Sequence, residues 1–539
     1  MKKYFIKIAL AGALLWVIFG FSACNLDINE NPNSATGSVV TPDLILSPTV
    51  ASTVYNQIYY YGYASAAYYA GFQVPGDGIA GFGEQYSYNL TSSSVTGAWT
   101  EIFANLRQYK TIIQKSEEDP KYALFGGIAH ILKAYSYQLL VDAYGDVPYT
   151  EGLGGKTGNY TPKYDKDSEV YQLLVGELDE AIAILKENQG KIGAGVTALN
   201  SISDPLFGGD ITQWIRLANN VKLRLLVRAE GTTIDAFVKE AFGKFSSEGF
   251  LKENALVNPG YSPSTIDRQN PYWNVYHSST AGTITQSANY YIPSRYVFSF
   301  YNGAKLTDEF RGKLVYKGFP NTPSGQLGQE AKGSPDHPAS TKYVWFIGTG
   351  TNAAASQDNA GILKSRSAGA PLFTAAEAYF LLAEAALNGH VLDGDALSNF
   401  DKGIEASFAY LALKGTETAL PDVRAEVAAY KAANSDNWLV NFELATNNAQ
   451  KLEAIITQKY IALNIVNSNE AWNEFRRTAY PRISGTDPAH TFVSIQSAST
   501  HSDKLPVRLV YPQTEIDLNG NNVPAKRNPY SDLIFWDKD

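Results

Sequence analysis

The sequence predicts a mostly α-helical protein in which helices come in pairs and long irregular segments lie against them. Three observations carry this. Apolar residues recur at three- and four-residue steps through most windows between residues 53 and 250 and between 371 and 477. Several consecutive windows are joined by turns too short for anything but an antiparallel helix pair. Small residues stand where such helices would cross: Ala375, Ala376, Ala378, Ala383, Ala385 and Ala386.

The elements follow in order. Thr53 to Gln73 is a tyrosine-rich helical run, with Tyr55, Tyr59 and Tyr63 at four-residue steps. Ala98 to Lys115 places Trp99, Ile102, Phe103, Leu106, Tyr109 and Ile113 on one helical face. Tyr122 to Tyr144 carries Ile128, Ile131, Leu132, Tyr135, Leu139 and Val141, and Gly145 and Pro148 stop it. Ser168 to Lys186 opens on a serine suited to cap a helix, with an acid soon after. Asp210 to Glu230 repeats the pattern with Trp214, Leu217, Val221, Leu225 and Val227. Thr374 to Asn388, Asp395 to Leu411, Asn447 to Val466 and Glu470 to Arg477 complete the set. The pairs are 98–115 with 122–144, 374–388 with 395–411, and 447–466 with 470–477. They suggest tetratricopeptide-type stacking, although the spacing between pairs is too irregular for a clean repeat. Residues 251–370 and 478–539 are rich in Gly, Ser, Thr, Asn and Pro and read as loop. Long irregular segments on a compact body are usually functional or wrap its surface.

The amino terminus carries an export signal. Lys2, Lys3 and Lys7 precede an uncharged stretch from Ile8 to Phe21, then Ser22, Ala23 and Cys24. The apolar stretch is short of the roughly 20 residues that span a bilayer. Cys24 is the only cysteine in the chain. After small residues it reads as the lipidated first residue of a bacterial lipoprotein, anchored by acyl chains. Residues 1–23 are thus expected to be signal peptide and 24–50 lipid anchor and tether. Residues 51–539 form one domain, its helical scaffold mainly 51–250 and 371–477, its loop-rich parts 251–370 and 478–539.

Removing the leader takes away three lysines and no acid, leaving 41 basic against 53 acidic side chains and a net charge of −12. Nucleic acid needs a basic footprint and is excluded as a partner. With no cysteine beyond the anchor there is no internal disulfide. Tyrosine is in excess, 35 residues against 8 tryptophans. Its flat apolar face plus hydroxyl suits cores, interfaces and carbohydrate stacking alike.

No reactive constellation emerges. His130, His277, His337, His390, His490 and His501 are scattered and form no zinc pattern. There is no nucleophile elbow and no phosphate-binding glycine loop. Asp165-Lys166-Asp167-Ser168-Glu169 resembles the start of a calcium loop but has Val170 where the sharp turn needs glycine. We therefore expect no catalytic residue, no metal site and no cofactor. Two acids suitably placed for glycoside hydrolysis are not readable from sequence spacing, so an exported α-helical glycan-processing enzyme stays open as an alternative. So does a purely adhesive surface lipoprotein.

Several phrases taken together resemble one family. They are Tyr144-Gly145-Asp146-Val147-Pro148-Tyr149, the run from Trp214 to Arg224, and the run from Thr374 to Ala385. Gly403 to Phe408, Gln458 to Leu463, Glu470 to Thr478 and Leu505 to Pro512 follow in the same order. With the lipoprotein signal they resemble the SusD/RagB family of nutrient-binding outer-membrane lipoproteins over essentially the whole chain. One departure is Asp308-Glu309-Phe310-Arg311, where the family often has Asp-Pro-Arg. The resemblance implies a SusD-like fold: four tetratricopeptide-like helix pairs with a loop-rich ligand-binding face. It implies a lid over a SusC-like TonB-dependent transporter at the cell exterior, capturing an oligosaccharide or, in some members, a peptide, without chemistry. Asp27 and Glu30, just after Cys24, look like the surface-export signal of such lipoproteins.

Sugar rings present apolar faces to aromatic side chains and need planar polar partners for their hydroxyls. The ligand candidates are therefore aromatics in predicted loops. Tyr272, Trp273, Asn274 and Tyr276 form one group; Tyr290, Tyr291 and Arg295 follow; Phe82, Tyr86, Tyr88 and Asp77 share a glycine-rich loop. Replacing Trp273 and Tyr276 with alanine is expected to abolish ligand retention and leave the melting temperature nearly unchanged. The competing reading is that these rings pin irregular loops to the helical body. Trp99, Trp214 and Trp472 are read as packing, and Arg476 and Arg477 as members of structural ion pairs.

Overall fold

The computed structural model describes residues 40–76, 83–264, 268–329, 344–350, 358–525 and 527–537. The chain divides into two units, Met1–Thr41 and Pro42–Asp539. Cys24 and the leader lie outside the described residues.

The second unit is a helical scaffold. Helix α1 spans Pro42–Asn56 and runs directly into a π-helix, Gln57–Ala66. Then come α2 (Gly97–Glu118), α3 (Ala123–Tyr144), α4 (Asp167–Gln189), α5 (Ile211–Ala229) and α6 (Asp235–Phe242). The second half holds α7 (Ala375–Leu387), α8 (Ala396–Ala412), α9 (Val423–Ala433), α10 (Asn448–Leu463) and α11 (Ser468–Thr478). Neighbours in sequence pack on one another: α1 on α2, α2 on α3, α3 on α4, α4 on α5, α7 on α8 and α10 on α11. Contacts of α7 with α5 and α10 join the two halves. The expected pairs are present, and Trp99, Trp214 and Trp472 are buried between helices.

Local chemistry sets the helix starts. Asp210, Thr374, Asp395, Asn447 and Asn467 each accept a backbone N–H from the first turn they precede. Helix α4 begins one residue before the expected cap, and the Asp167 carboxylate, not the Ser168 hydroxyl, takes the Ser168 N–H at 2.7 Å.

Three features differ from the sequence expectation. The stretch expected to be tether up to residue 50 is helical from Pro42, and Leu46 and Val50 are fully buried. Pro42 and Asp43 make a sound first turn, a signal masked by the polar residues before them. The tyrosine run is not regular α-helix: Gln57–Ala66 takes the wider π turn. Gly62 admits it, since a Cβ there would stand 3.1 Å from Gln57 O. Thirdly, the loop region contains two short antiparallel ladders. Strand β1 (Val74–Pro75) pairs with β3 (Tyr291–Ile292), and β2 (Ala255–Val257) with β4 (Ala370–Phe373). They tie residues 255–292 to both halves of the scaffold.

A buried charge network cross-links the helices. Arg228 on α5 donates to Asp142 on α3 and Glu470 on α11, with Glu474 at 3.4 Å. Arg224 donates to Glu377 on α7 at 2.8 Å and lies 3.6 Å from Glu470. Lys459 on α10 reaches Glu474 at 3.1 Å, and Arg477 grips Glu384 with two bonds of 2.7 and 2.8 Å. Arg477 is thus the structural ion pair expected. Arg476 departs from that expectation. Its guanidinium donates to the backbone carbonyls of Asp142 and Val507, lies over the Trp472 ring, and burial lowers its pKa to about 10.

Two lysines sit in unusually dry places. Lys364 donates to the carbonyls of Tyr410 and Leu413, and burial lowers its pKa from 10.5 to about 7. Burial against Tyr296 and Phe300 lowers Lys305 to about 7 as well. In the unfolded chain both hold their protons to about pH 10. From pH 7 upward the unfolded state therefore binds more protons, and stability rises with pH. We expect urea unfolding to show a gain of about 2 kcal/mol for Lys364 alone between pH 7 and 9. Above pH 10 the slope reverses, because buried tyrosines such as Tyr144 and Tyr272 keep their protons in the fold and lose them on unfolding. A flat profile from pH 7 to 9 would show that the Lys364 ammonium is solvated.

Candidate functional site

The structure places most of the expected ligand residues inside the body. Trp273 is fully buried, its ring stacked on His277 at 4.1 Å and its indole N–H bonded to Ser278 Oγ at 3.1 Å. Tyr272 donates to Val466 O, and Tyr276 to Gln73 Oε1 at 2.9 Å. Tyr291 is buried and meets Tyr68 hydroxyl to hydroxyl at 2.6 Å. Tyr88 packs edge-on against Tyr69, and its hydroxyl accepts from Ser494 N. Tyr86 is buried beside it. The half-exposed Arg295 opens a one-turn helix and gives its own N–H to Gly325 O. Asp77 and Phe82 lie outside the described residues.

The physical reason is local. Asn270 caps a short helix, Pro271–Tyr276, accepting from Tyr272 N at 2.8 Å, with Pro271 at its first position. That start signal, asparagine then proline, turns an expected loop into a helix whose rings point inward. These aromatics therefore offer no ring face to solvent in this structure; they pin the loop region to the scaffold.

Asn274 is different. It is half-buried and lines a cavity of about 570 Å³ with Tyr55, Tyr60, Glu101, Gln108, Tyr261 and Gln269. The π-helix and the end of α1 supply the aromatic wall. Tyr55 and Tyr59 stack at 5.4 Å, Tyr59 and Tyr63 at 5.7 Å, and Tyr60 stands edge-on to Tyr59 at 4.9 Å. Behind them Tyr63 meets Tyr276 and Tyr291 at 5.7 and 5.6 Å. One continuous tyrosine cluster thus runs from the buried residues named above to the solvent-facing Tyr55. Gly97, at the start of α2, permits it: a Cβ there would fall 2.2 Å from the Tyr60 ring.

The polar side of the cavity is built from α2 and the segment before Asn274. Gln269 is fully committed, accepting from Arg366 Nε at 2.8 Å and donating to Ser278 O and Asn274 Oδ1. It fixes Asn274 with its amide NH₂ unpartnered among the described residues. Glu101 and Gln108 are exposed, one helical face of α2, and their side chains have no partner among the described residues. Burial, then the charge of Glu101, raises the Tyr60 pKa, and burial raises that of Tyr261. Both phenols stay protonated donors at neutral pH. The cavity thus offers ring faces, phenol donors, two amides and a carboxylate, the set a polyhydroxylated ring recognises. The sequence signal was present: tyrosine, rather than leucine or valine, at three positions four residues apart, Tyr55, Tyr59 and Tyr63.

A larger cavity, about 1220 Å³, lies among α11 and residues 478–504. Its arginines are already engaged, Arg477 as described and Arg482 with Glu453 at 2.7 Å. A third, about 1080 Å³, lies between α2 and the segment 148–162.

Paired helices carrying an aromatic-walled surface cavity define a scaffold protein of the helical-pair class. The chain belongs to the SusD-like family described as starch-binding and associating with the outer membrane, whose model matches residues 32–512. It is a family of nutrient- and glycan-binding proteins. Solved structures agree on the fold. A SusD homolog from Bacteroides uniformis is 23% identical, with 92% of this chain and 99% of that chain covered and a TM-score of 0.67. A chitin-binding SusD homolog from Flavobacterium johnsoniae is 22% identical, with 92% and 99% covered and a TM-score of 0.67. A SusD homolog from Bacteroides fragilis is 21% identical, with 93% and 100% covered and a TM-score of 0.65. No curated protein matches the chain by sequence. Among the described residues, no helix is long and apolar enough to cross a membrane.

Proposed function

We propose that this protein captures an oligosaccharide in the tyrosine cavity and passes it to a SusC-like TonB-dependent transporter at the outer membrane, to which Cys24 anchors it by lipid. The observation that carries the proposal is the cavity itself: tyrosine rings facing unpartnered Glu101, Gln108 and Asn274 in a volume suited to a small ligand. Capture without chemistry is favoured because Glu101 is the sole acid among the described lining residues, whereas glycoside hydrolysis needs two flanking carboxyl groups. The chitin-binding relative makes N-acetylglucosamine oligomers the first ligands to try. Hand-over requires modest affinity, about −4 to −8 kcal/mol, or millimolar to micromolar.

Calorimetry of the protein lacking its leader against chito-, malto- and xylo-oligosaccharides tests capture. Binding of one series in that range, with no product released, supports the proposal; turnover of any of them would move the protein to the glycan-processing class. A pull-down of the lipidated protein from gently solubilised outer membrane tests the partnership. A stoichiometric large β-barrel is expected, and recovery of the protein alone would count against a lid role.

A further inference from the structure

The third cavity has a chemistry of its own. Its α2 wall presents Thr100, Phe103, Arg107, Lys110, Thr111 and Gln114, one face of the helix. Facing it, the segment Gly152-Leu153-Gly154-Gly155-Lys156-Thr157-Gly158 brings Lys156, whose Nζ stands 3.5 Å from Thr111 Oγ1. Thr111 in turn bonds Arg107 O at 2.9 Å, so Lys156 and Arg107 sit within one helical turn of each other. No carboxylate lies within ion-pairing distance of Arg107, Lys110 or Lys156 among the described residues. The other charged groups of the cleft are held by hydrogen-bond partners of their own. Lys133 pairs with Glu177 at 2.7 Å; Glu151 accepts from Asn159 Nδ2 and Lys163 N at 3.0 Å each; Glu515 accepts from the Tyr164 hydroxyl at 2.9 Å. Tyr160 stands at the rim, 79% exposed.

Three cations with no carboxylate partner among the described residues share one cleft of an acidic protein. We propose that this cleft is a second binding site, for the carboxylate or sulfate groups of an acidic oligosaccharide. Arg107, Lys110 and Lys156 meet the anionic groups, and Tyr160 meets a ring face. Arginine offers a paired, planar set of donors to a carboxylate or sulfate, while the lysines act as point charges that tolerate different spacings. Gly152 lets the segment fold tightly on itself, since a Cβ there would fall 1.9 Å from Pro148 O. The inference extends the capture reading to a charged class of glycan, and its test separates the two sites.

The test is titration of the protein lacking its leader with tetragalacturonate and with a sulfated oligosaccharide of similar length, at 20 and 300 mM salt. The result expected is binding of at least one of them, weakened about tenfold or more by the higher salt. The variants Arg107→Glu with Lys110→Glu, and separately Lys156→Glu, change exposed or half-exposed side chains and should fold normally. Each should weaken anionic-glycan binding by tenfold or more, leaving any neutral-glycan binding at the tyrosine cavity unchanged. Failure of both anionic probes to bind, or equal affinity in wild type and variants, would overturn the assignment. Loss of neutral-glycan binding in the same variants would also overturn it, since the two sites would then not be separate.

Discussion

Arg228→Ala should cost about 3–5 kcal/mol of folding stability, among the largest effects expected from a single substitution in this protein. The guanidinium bridges Asp142 and Glu470, with Glu474 at 3.4 Å, and all four side chains are buried. Alanine removes the cation and leaves carboxylates in a place where water cannot replace it. Against a total stability of about 5–15 kcal/mol, that is enough to populate unfolded chains. The cost belongs to the orphaned acids rather than to the pair as such. Arg228→Met combined with Glu470→Met should therefore cost less than the sum of the two single changes. Urea unfolding of the wild type, Arg228→Ala, the two single methionine variants and their combination reads both numbers. A single-variant cost under about 1 kcal/mol would mean that water reaches the network.

Tyr55→Ala with Tyr60→Ala should weaken oligosaccharide binding by about 30- to 1000-fold, the 2–4 kcal/mol typical of aromatic anchors at a binding surface. The same change should cost only about 1 kcal/mol of stability, since both rings are partly exposed. Trp273→Ala gives the contrast. It empties a fully buried site and should cost about 3–5 kcal/mol, with binding affected only through unfolding. Calorimetry and thermal melts on both variants decide the matter. Intact binding in the tyrosine variant would remove the cavity as the capture site. Lost binding in a Trp273 variant that melts like the wild type would return the site to the residues first favoured from the sequence.

The motif phrases prove to have a particular content. Arg224 lies in the run from Trp214, Glu377 and Glu384 in the run from Thr374, and Glu470, Glu474 and Arg477 in the run from Glu470. These are members of the buried network. Leu505 to Pro512 is strapped to Tyr144 to Tyr149 and the residue before it through Leu509 N on Ala143 O and the Tyr511 hydroxyl on Asp146 O, both 2.7 Å. The phrases that carry the family resemblance are thus the joints of the scaffold, which is why they reveal the fold far better than the ligand.

By itself the sequence determined the helices, their pairing and the family. Those depend on period-3.6 patterning, caps and short turns, all local, and on a few phrases whose partners recur together. It also showed an excess of tyrosine, which suits cores, interfaces and sugar stacking alike. Only the tertiary structure decided which tyrosines face outward. Trp273 and Tyr276 read as loop aromatics, yet an Asn270 cap and Pro271 wind them into a helix turned to the core. Tyr55, Tyr59 and Tyr63 read as one side of a helical run, yet a π turn opened at Gly62 and a missing side chain at Gly97 let Tyr55 and Tyr60 line a cavity. Whether a ring is anchor or binding surface depends on what covers it, and that cover comes from residues hundreds of positions away.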